Sequence, residues 1–331
     1  MAQQTNEALA RLRSLVEQDL QRTNEVILEQ LDSPVELITQ VGDHLLNSGG
    51  KRLRPILTLV TAKLFGYRDK DVHALLAAVV EFIHTATLLH DDVVDKSNTR
   101  RGQATANSVW GNKAPILVGD FLFSRSFQIM VAHGDLRVLR IVSDCCAIIS
   151  EGEVMQLVAS NDLATDEERY LDVIRHKTAS LFASASELGA VVADQSDDIA
   201  KRMYDYGMML GTAYQVVDDL LDYSAETEKL GKNVGDDFQE GKITLPVIHA
   251  YRNGSEEERA FWSRCLEDEE QDEGSFDHAR ALIAKHDSLA YSMTQARELI
   301  VRAKAALEPL PDTPERQALM DLADLSVDRE Y

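Results

Sequence analysis

The stretch LLAAVVEFIHTATLLHDDVVD, residues 75–95, indicates the fold class of this 331-residue chain. Its apolar residues recur at intervals of three and four, which is the period of one face of an α-helix. These residues are Leu75, Val79, Phe82, Ile83, Ala86 and Leu89. Residues 116–245 contain no proline and are rich in good helix formers, so they are expected to form consecutive helices. We find no segment with the two-residue alternation of a strand, and the sequence therefore predicts an all-α fold without a sheet.

The sequence also predicts a single large helical domain over residues 1–331, because no low-complexity linker is long enough to separate two domains. We expect the helix that begins near Asp71 to end within residues 98–102, and residues 230–242, with three glycines, to form a loop. The nearly continuous acidic run at residues 265–274 is interpreted as a solvated segment between helices rather than a metal site.

The composition is that of an acidic, folded and soluble protein. Lys and Arg number 34 against 56 Asp and Glu, and the formal net charge of −22 argues against nucleic-acid binding. The longest unbroken apolar run that we find, Ala74–Val80, is far shorter than the ~20 residues of a membrane span. With no visible signal peptide, we expect a cytoplasmic protein without stable membrane insertion. Its three cysteines, Cys145, Cys146 and Cys265, are expected to stay reduced.

Two aspartate motifs carry the strongest chemical information. They are DDVVD at residues 91–95 and DDLLD at residues 218–222, and each follows an apolar helical stretch. On a helix, the first and last aspartates of each motif lie on one face, where like charges destabilise the helix by a few tenths of a kcal/mol. A hard divalent cation such as Mg²⁺ removes this conflict, since it binds carboxylates together with substrate phosphates. A solvated helix end is the alternative for either motif alone, but two copies favour a metal site.

A basic cluster, GGKRLRP at residues 49–55, is unexpected in a chain of this acidity. It is not a Walker A loop, because Leu45 and Arg52 occupy positions that this loop reserves for Gly and for Ser or Thr. Arg100 and Arg101 follow the first aspartate motif closely, and Arg and Lys side chains bind phosphate oxygens. A surface patch of ion pairs is the alternative, but cations beside carboxylates indicate a site that shares phosphates and metals. Single polar residues near predicted helix ends are weak evidence one by one: Lys177, Thr178, Gln215, Lys232 and Lys242. His84 lies two turns before Asp91 on the same helix face, and as a lone residue it is typical of a core histidine.

Together these motifs resemble those of the trans-polyprenyl diphosphate synthases. The resemblance covers residues 17–328 and includes the motifs at 49–55, 81–102, 177–178, 215–222 and 231–242. It implies an all-α bundle around a deep central cavity, of the isoprenoid synthase type, usually assembled as a homodimer. It implies Mg²⁺-dependent, head-to-tail condensation of an allylic diphosphate, of farnesyl or geranyl type, with isopentenyl diphosphate. The implied product is a long all-trans polyprenyl diphosphate for a quinone side chain, with octaprenyl expected first and heptaprenyl, nonaprenyl or decaprenyl as alternatives.

The resemblance also implies roles for individual residues. Asp91 and Asp95 would bind magnesium on the allylic diphosphate with support from Asp92, Asp218 would bind a further magnesium, and Asp222 would hold its water shell. Isopentenyl diphosphate would be held by Lys51, Arg54, His84 and Arg101. The allylic diphosphate would be contacted by Arg100, Lys177, Lys232 and Lys242. Thr178 and Gln215 would turn oxygens toward the developing allylic cation. We see no general base among the motifs, so the departing pyrophosphate is the expected acceptor of the final proton.

Product length is expected to depend on Ala86 and Thr87, which are small and lie about one turn before the first aspartate motif. A product that grows along this helix passes both residues, so Ala86→Phe should shorten it. Phe127, Ile129 and Met130 are candidates for the floor of the tunnel, with ordinary core residues as the alternative.

Two other classes of function are weighed against this enzyme. A class I terpene cyclase shares helices and a DDxxD site but needs no isopentenyl site, so Lys51, Arg54 and Arg101 argue against it. A non-catalytic partner subunit of a heteromeric synthase is expected to have degraded aspartate motifs, whereas both motifs are complete here. The sequence therefore predicts an active prenyltransferase.

Overall fold

Helices dominate the described part of the chain, which in this computed structural model comprises residues 2–47, 50–68, 71–100, 102–133, 135–224 and 234–328. Up to residue 221 the helices are α1 (Ala2–Leu15), α2 (Glu17–Leu31), α3 (Glu36–Asn47), α4 (Leu53–Leu64), α5 (Val72–Val94), α6 (Ala106–Trp110), α7 (Lys113–His133), α8 (Leu136–Ala159), α9 (Glu167–Ile174), α10 (Ser180–Val192) and α11 (Asp197–Leu221). After it come the helices Asp236–Gln239, Leu245–Asn253, Glu256–Trp262, Ser275–Lys285, Ser288–Leu307 and Pro314–Val327. Two π-helical turns cover Arg175–Ala179 and Ser263–Glu267. The predicted all-α fold class is confirmed.

One short antiparallel hairpin departs from the prediction of a fold without strands. Residues 99–100 (β1) pair with residues 103–104 (β2), and Gly102 in the turn between them has a φ of +76°. The hairpin occupies the place where α5 was predicted to end, because the helix ends earlier, at Val94. Lys96 takes a left-handed backbone conformation, with a φ of +54°, and so turns the chain away from the helix axis.

Side-chain caps begin several helices within the proline-free stretch. Asp135 before α8, Asp166 before α9 and Ser196 before α11 each accept a hydrogen bond from the backbone N–H three residues later. Pro246 and Pro314 lie in the first turns of their helices, where the missing N–H removes no intrahelical hydrogen bond. The prediction of consecutive helices between residues 116 and 245 is confirmed for the described residues.

Helices α4, α5, α8, α10 and α11 surround the interior. α5 packs on α4 and α7, α10 packs on α4, α8 and α11, and α11 packs on Ser288–Leu307. Gly211 lets the backbones of α11 and α10 approach, because a Cβ at this position would lie 2.7 Å from the Cα of Ala179. Gln215 follows Gly211 by one helical turn, and this close approach brings it to Thr178, the neighbour of Ala179.

By length and composition, α5 and α7 could each cross a membrane, although the sequence has no long unbroken apolar run. The most apolar part of α5 is 67% buried, as is typical of a core helix in a soluble protein. The most apolar part of α7 is 44% buried, and this helix exposes Ile116, Leu117, Phe127 and Val131. The three cysteines are free, in agreement with the prediction of reduced thiols.

Candidate active site

A cavity of about 740 Å³ lies between α4, α5, α8, α10 and α11. Its wall carries residues from both aspartate motifs and from the basic cluster at residues 49–55. The predicted site residues that line it are Lys51, Arg54, His84, Thr87, Asp91, Asp95, Arg100, Lys177, Thr178, Gln215, Asp218 and Lys242. The structure therefore brings residues from distant parts of the sequence to one cavity.

Some of the predicted site residues do not line the cavity. Ala86 is fully buried and does not line the cavity, and Asp222 also stands outside its wall. Arg101 and Lys232 lie outside the described residues. The cavity does not reach the proposed floor on α7: Ile129 and Met130 are buried in the core, and Phe127 is 37% exposed.

Carboxylates reach the cavity from two helix ends. Asp91 and Asp95 come from the end of α5, and Asp218 comes from the end of α11. Burial raises the pKa of Asp91 to about 7; Lys177 opposes this effect, while Glu153 and Asp95 add to it. Crowded, buried acidic groups of this kind are stabilised in their charged form by a nearby cation.

This donor set fits a hard divalent cation, which prefers carboxylate oxygens. Among the described residues, no group of three His, Cys, Asp or Glu side chains is placed to hold a metal ion on its own. A cation at Asp91, Asp95 or Asp218 would therefore take further ligands from water and from the phosphate oxygens of a substrate, which is how Mg²⁺ is usually bound.

Lys177 and Thr178 lie on the π-helical turn Arg175–Ala179 between α9 and α10. Turns of this kind are rare and often mark functional sites. Gly152 on α8 allows the turn to sit against that helix, because a Cβ at this position would lie 2.5 Å from the backbone N of Lys177. The sequence analysis did not predict the turn, since no residue type specifies it.

Glu153, next to Gly152, is an acidic residue that the sequence analysis missed. It lines the cavity, and its carboxylate accepts from Lys177 Nζ at 2.7 Å, while the same nitrogen is 3.9 Å from Asp91. A single glutamate on a helix belongs to none of the motifs that we considered, so only the packing of α8 reveals it.

Asp222 orders the chain after α11 rather than facing the cavity. Its two carboxylate oxygens accept from the backbone N–H groups of Gly235 and Asp237, each at 3.0 Å. Burial raises the pKa of Asp222 to about 7, and Asp237 adds to this effect. The predicted role of Asp222 in holding the water shell of a metal ion stays a prediction.

Asp237 lines the cavity and was also missed by the sequence analysis, although it lies within the motif at residues 231–242. Its carboxylate is 3.5 Å from Lys242 Nζ, which also contacts Glu240 at 2.5 Å and Asp95 at 4.0 Å. Burial alone would lower the pKa of Lys242, but Asp237 and Glu240 raise it above its ordinary value. Lys242 is therefore held as a cation beside the first aspartate motif.

The basic side of the cavity is built around Arg54. Its Nη1 is 3.1 Å from His84 Nε2, and its guanidinium lies 4.3 Å from the centre of the Phe182 ring. Arg52, at a left-handed φ of +54°, forms an ion pair with the buried Glu81. These contacts order the start of α4, where Lys51 and Arg54 reach the cavity.

Asp92, the second aspartate of the first motif, is buried beside Arg100. It is 1% exposed, and its carboxylate forms an ion pair of 2.8 Å with Arg100. It therefore orients Arg100, which lines the cavity, and its supporting role for Asp91 and Asp95 stays a prediction.

Four side chains that line the cavity form a hydrogen-bonded chain. The Thr178 hydroxyl donates to Gln215 Oε1 at 3.0 Å, and Gln215 Nε2 donates to Asp219 Oδ1 at 2.7 Å. The Tyr170 hydroxyl donates to Asp219 Oδ2 at 2.6 Å. Burial raises the pKa of Asp219 and that of Tyr170 well above their ordinary values. Tyr170 and Asp219 were not predicted as site residues, since nothing in the sequence places them together.

Comparison with known proteins agrees with this geometry. The sequence profile of the family described as Polyprenyl synthetase matches residues 35–283. Octaprenyl diphosphate synthase of Haemophilus influenzae is 45% identical over 331 residues, which cover 100% of both chains. The chain belongs to the polyprenyl synthetase family. This polyprenyl synthetase is a prenyltransferase, and its family uses allylic diphosphates and isopentenyl diphosphate as substrates.

Solved structures of polyprenyl diphosphate synthases superpose closely on this chain. A decaprenyl diphosphate synthase from Rhodobacter capsulatus superposes with a TM-score of 0.93 at 49% identity, covering 97% of this chain and 100% of that chain. A polyprenyl synthase from Caulobacter crescentus superposes with a TM-score of 0.92 at 46% identity, covering 97% and 98%. The Caulobacter protein was solved in complex with calcium and isoprenyl diphosphate.

Proposed function

We propose that this chain is an Mg²⁺-dependent trans-prenyltransferase that elongates a farnesyl- or geranyl-type diphosphate with isopentenyl diphosphate to octaprenyl diphosphate, for a quinone side chain. The observation that carries the proposal is the arrangement of the cavity. Asp91 and Asp95 reach it from α5, Asp218 reaches it from α11, and Lys51 and Arg54 line the same cavity. One substrate diphosphate can lie between the aspartates together with divalent cations. A second diphosphate can lie against Lys51 and Arg54.

Asp91, Asp95 and Asp218 would hold Mg²⁺, with Asp222 supporting its water shell. When bound, the metal stabilises the negative charge of the departing pyrophosphate. The Caulobacter relative was solved with calcium and isoprenyl diphosphate, which supports the use of a divalent cation by this chain. The cations Arg100, Lys177 and Lys242 line the cavity close to these carboxylates and would hold the allylic diphosphate together with Lys232.

The isopentenyl diphosphate would lie against Lys51, Arg54 and His84, with Arg101 beside them. A unit charge pair 4 Å apart contributes ~1 kcal/mol in water but ~4 kcal/mol at an effective dielectric constant of 20, so exclusion of water strengthens these contacts. Holding the isopentenyl double bond against the allylic carbon supplies the proximity that the condensation needs. Thr178 and Gln215 would place oxygens near the developing cation, and the departing pyrophosphate would take the final proton.

An octaprenyl product follows from the likeness to the Haemophilus enzyme, while the Rhodobacter relative makes a decaprenyl chain. Thr87 lines the cavity one turn before Asp91, and α5 contributes no Phe, Tyr or Trp side chain to the wall. We propose that the product grows past this point between the helices.

We further propose a single domain that assembles as a cytoplasmic homodimer. α7 and α8 carry a group of exposed apolar side chains, which a second copy of the chain would cover. This apolar face consists of Ile116, Leu117, Phe127 and Val131 on α7 with Leu136, Val154, Leu157 and Val158 on α8.

The function is tested with the purified chain, Mg²⁺, farnesyl diphosphate and isopentenyl diphosphate. We expect pyrophosphate release and, after dephosphorylation, a product whose mass corresponds to eight isoprene units. The matched control is a variant with Asp91→Ala and Asp95→Ala, which should lose turnover but keep its helical circular dichroism spectrum. Normal turnover of this variant, or pyrophosphate release without elongation, would refute the proposal.

A further inference from the structure

The orientation of the Gln215 amide is set by its neighbours. A side-chain amide has a donor end and an acceptor end, and turning it over exchanges them. Here Gln215 Nε2 is 2.7 Å from Asp219 Oδ1, and Gln215 Oε1 is 3.0 Å from the Thr178 hydroxyl. Both carboxylate oxygens of Asp219 act as acceptors here, one toward Tyr170 and one toward Gln215, so a reversed amide would bring its carbonyl oxygen against the acceptor Oδ1. Asp219 therefore keeps the carbonyl oxygen of Gln215 on the side of Thr178.

Asp219 is fixed in turn by Tyr170. The phenol hydroxyl donates to Asp219 Oδ2 at 2.6 Å, which is within the short range of hydrogen bonds to carboxylates. Tyr170 is 4% exposed and Asp219 is 6% exposed, so both are largely shielded from bulk solvent although they line the cavity. The bond also joins α9 to α11, two helices that border the cavity from different parts of the sequence.

We propose that Tyr170 is a positioning residue for prenyl transfer: its hydroxyl holds Asp219, and Asp219 holds Gln215 with its carbonyl oxygen toward Thr178. The inference rests on the proposed function, since Thr178 and Gln215 act on the allylic cation only if that cation forms in the cavity. Tyr170 touches no reacting atom in this scheme, and it acts through two intervening side chains.

Loss of the Tyr170 hydroxyl has a specific kinetic consequence. In Tyr170→Phe the ring stays in place, while Asp219 loses one of its two side-chain donors and can rotate away from Gln215. The diphosphate-binding cations are not part of this chain of hydrogen bonds. An interaction made only in the transition state changes kcat, whereas uniform substrate binding changes KM. We therefore expect kcat to fall about tenfold, roughly the rate equivalent of one hydrogen bond, with both KM values unchanged.

A double-mutant cycle tests whether Tyr170 acts through Gln215. The proteins compared are wild type, Tyr170→Phe, Gln215→Ala and the double variant, assayed at a temperature where thermal unfolding shows all four to be folded. We expect Tyr170→Phe to lower kcat about tenfold in the wild-type background. In the Gln215→Ala background its effect should be less than about twofold, because the group it positions is gone.

Tyr206→Phe is the matched control. Tyr206 is also fully buried, and its hydroxyl donates to the Leu319 backbone oxygen at 2.8 Å, away from the cavity. This variant should lower the unfolding temperature while kcat stays unchanged. Three results would overturn the inference and leave the proposed function intact. They are an equal fall of kcat in both backgrounds, an unchanged kcat in Tyr170→Phe, and a raised KM with unchanged kcat in Tyr170→Phe. Absence of elongation by the wild-type chain would overturn both.

Discussion

Burial of Glu187 on α10 raises the pKa of its carboxyl group to about 7. Arg137 and Lys201 oppose this effect, and Asp144 and Asp197 add to it. Glu187 does not line the cavity, so its titration is separate from the chemistry proposed there. In the unfolded chain the same group ionises near its ordinary pKa of 4.5. The folded protein therefore binds more protons than the unfolded protein between these two values.

Glu187→Gln should remove this contribution to the pH dependence of stability. For the wild type, the contribution of Glu187 to the free energy of unfolding is largest below about pH 4.5 and falls as the pH rises to about 7. As the pH rises from about 4.5 to about 7, the unfolding free energy of the variant should therefore increase relative to that of the wild type. Urea unfolding at a series of pH values measures it, and a difference that does not change with pH would contradict the prediction.

Thr87 and Ala86 differ in their surroundings although they are neighbours on α5. Thr87 lines the cavity, whereas Ala86 is fully buried among the core residues. We expect Thr87→Phe and Ala86→Phe both to shorten the product. Thr87→Phe places an aromatic ring on the cavity wall, whereas the ring of Ala86→Phe has no room in the core and should push neighbouring side chains toward the cavity. Ala86→Phe should also cost about 1–3 kcal/mol of stability, since it overfills a packed core. Mass analysis of the products tests this, and an unchanged product length in both variants would contradict it.

At the level of single helices, the sequence predicts where a helix forms better than it predicts the residue at which the helix ends. The three- and four-residue spacing of apolar residues identifies α5, because burial of one helix face requires that period. Its end at Val94 is set by the backbone conformation of Lys96, which no preference of lysine indicates. The π-helical turn beneath Lys177 and the contact of Lys177 with Glu153 depend on how α8 packs, so they are absent from any local pattern.

Gly152→Ala tests the role of that packing. An added Cβ would lie 2.5 Å from the backbone N of Lys177 and 2.8 Å from the Cβ of His176, so the π-helical turn has to move. We expect lower prenyl transfer and a lower unfolding temperature, because displacement of Lys177 disturbs the allylic diphosphate site. Gly274→Ala is the control, since a Cβ there meets nothing nearer than 3.8 Å. Equal activity of the two variants would show that the close approach at Gly152 is not needed.

For the molecule as a whole, the apolar face on α7 and α8 is the feature that a single copy leaves unexplained. Val131 is 75% exposed and Leu157 is 70% exposed, and groups of exposed apolar side chains commonly mark an interaction surface. The sequence alone could not identify this face, because the apolar residues of α7 are spread around the helix rather than gathered on one side.

Introducing Val131→Glu together with Leu157→Glu should convert the proposed dimer to a monomer. Two charges placed in an apolar contact are costly to bury, so association should weaken strongly. Sedimentation velocity measures the assembly state. Val301→Glu serves as the control, because Val301 is 68% exposed on Ser288–Leu307, which packs on α11 rather than on α7. A wild-type monomer, or a double variant that still forms dimers, would contradict this assembly.

The position of both aspartate motifs at helix carboxyl termini has an electrical consequence. α5 ends at Val94 and α11 ends at Leu221, and the last carbonyl groups of a helix together carry roughly half a negative charge. These two macrodipoles add to the charges of the aspartates and make the entrance repel bare anions. On the proposed function, a diphosphate beside these two helix ends is therefore disfavoured unless a divalent ion accompanies it, so the supply of that ion limits binding on the acidic side of the cavity but not on the side of Lys51 and Arg54.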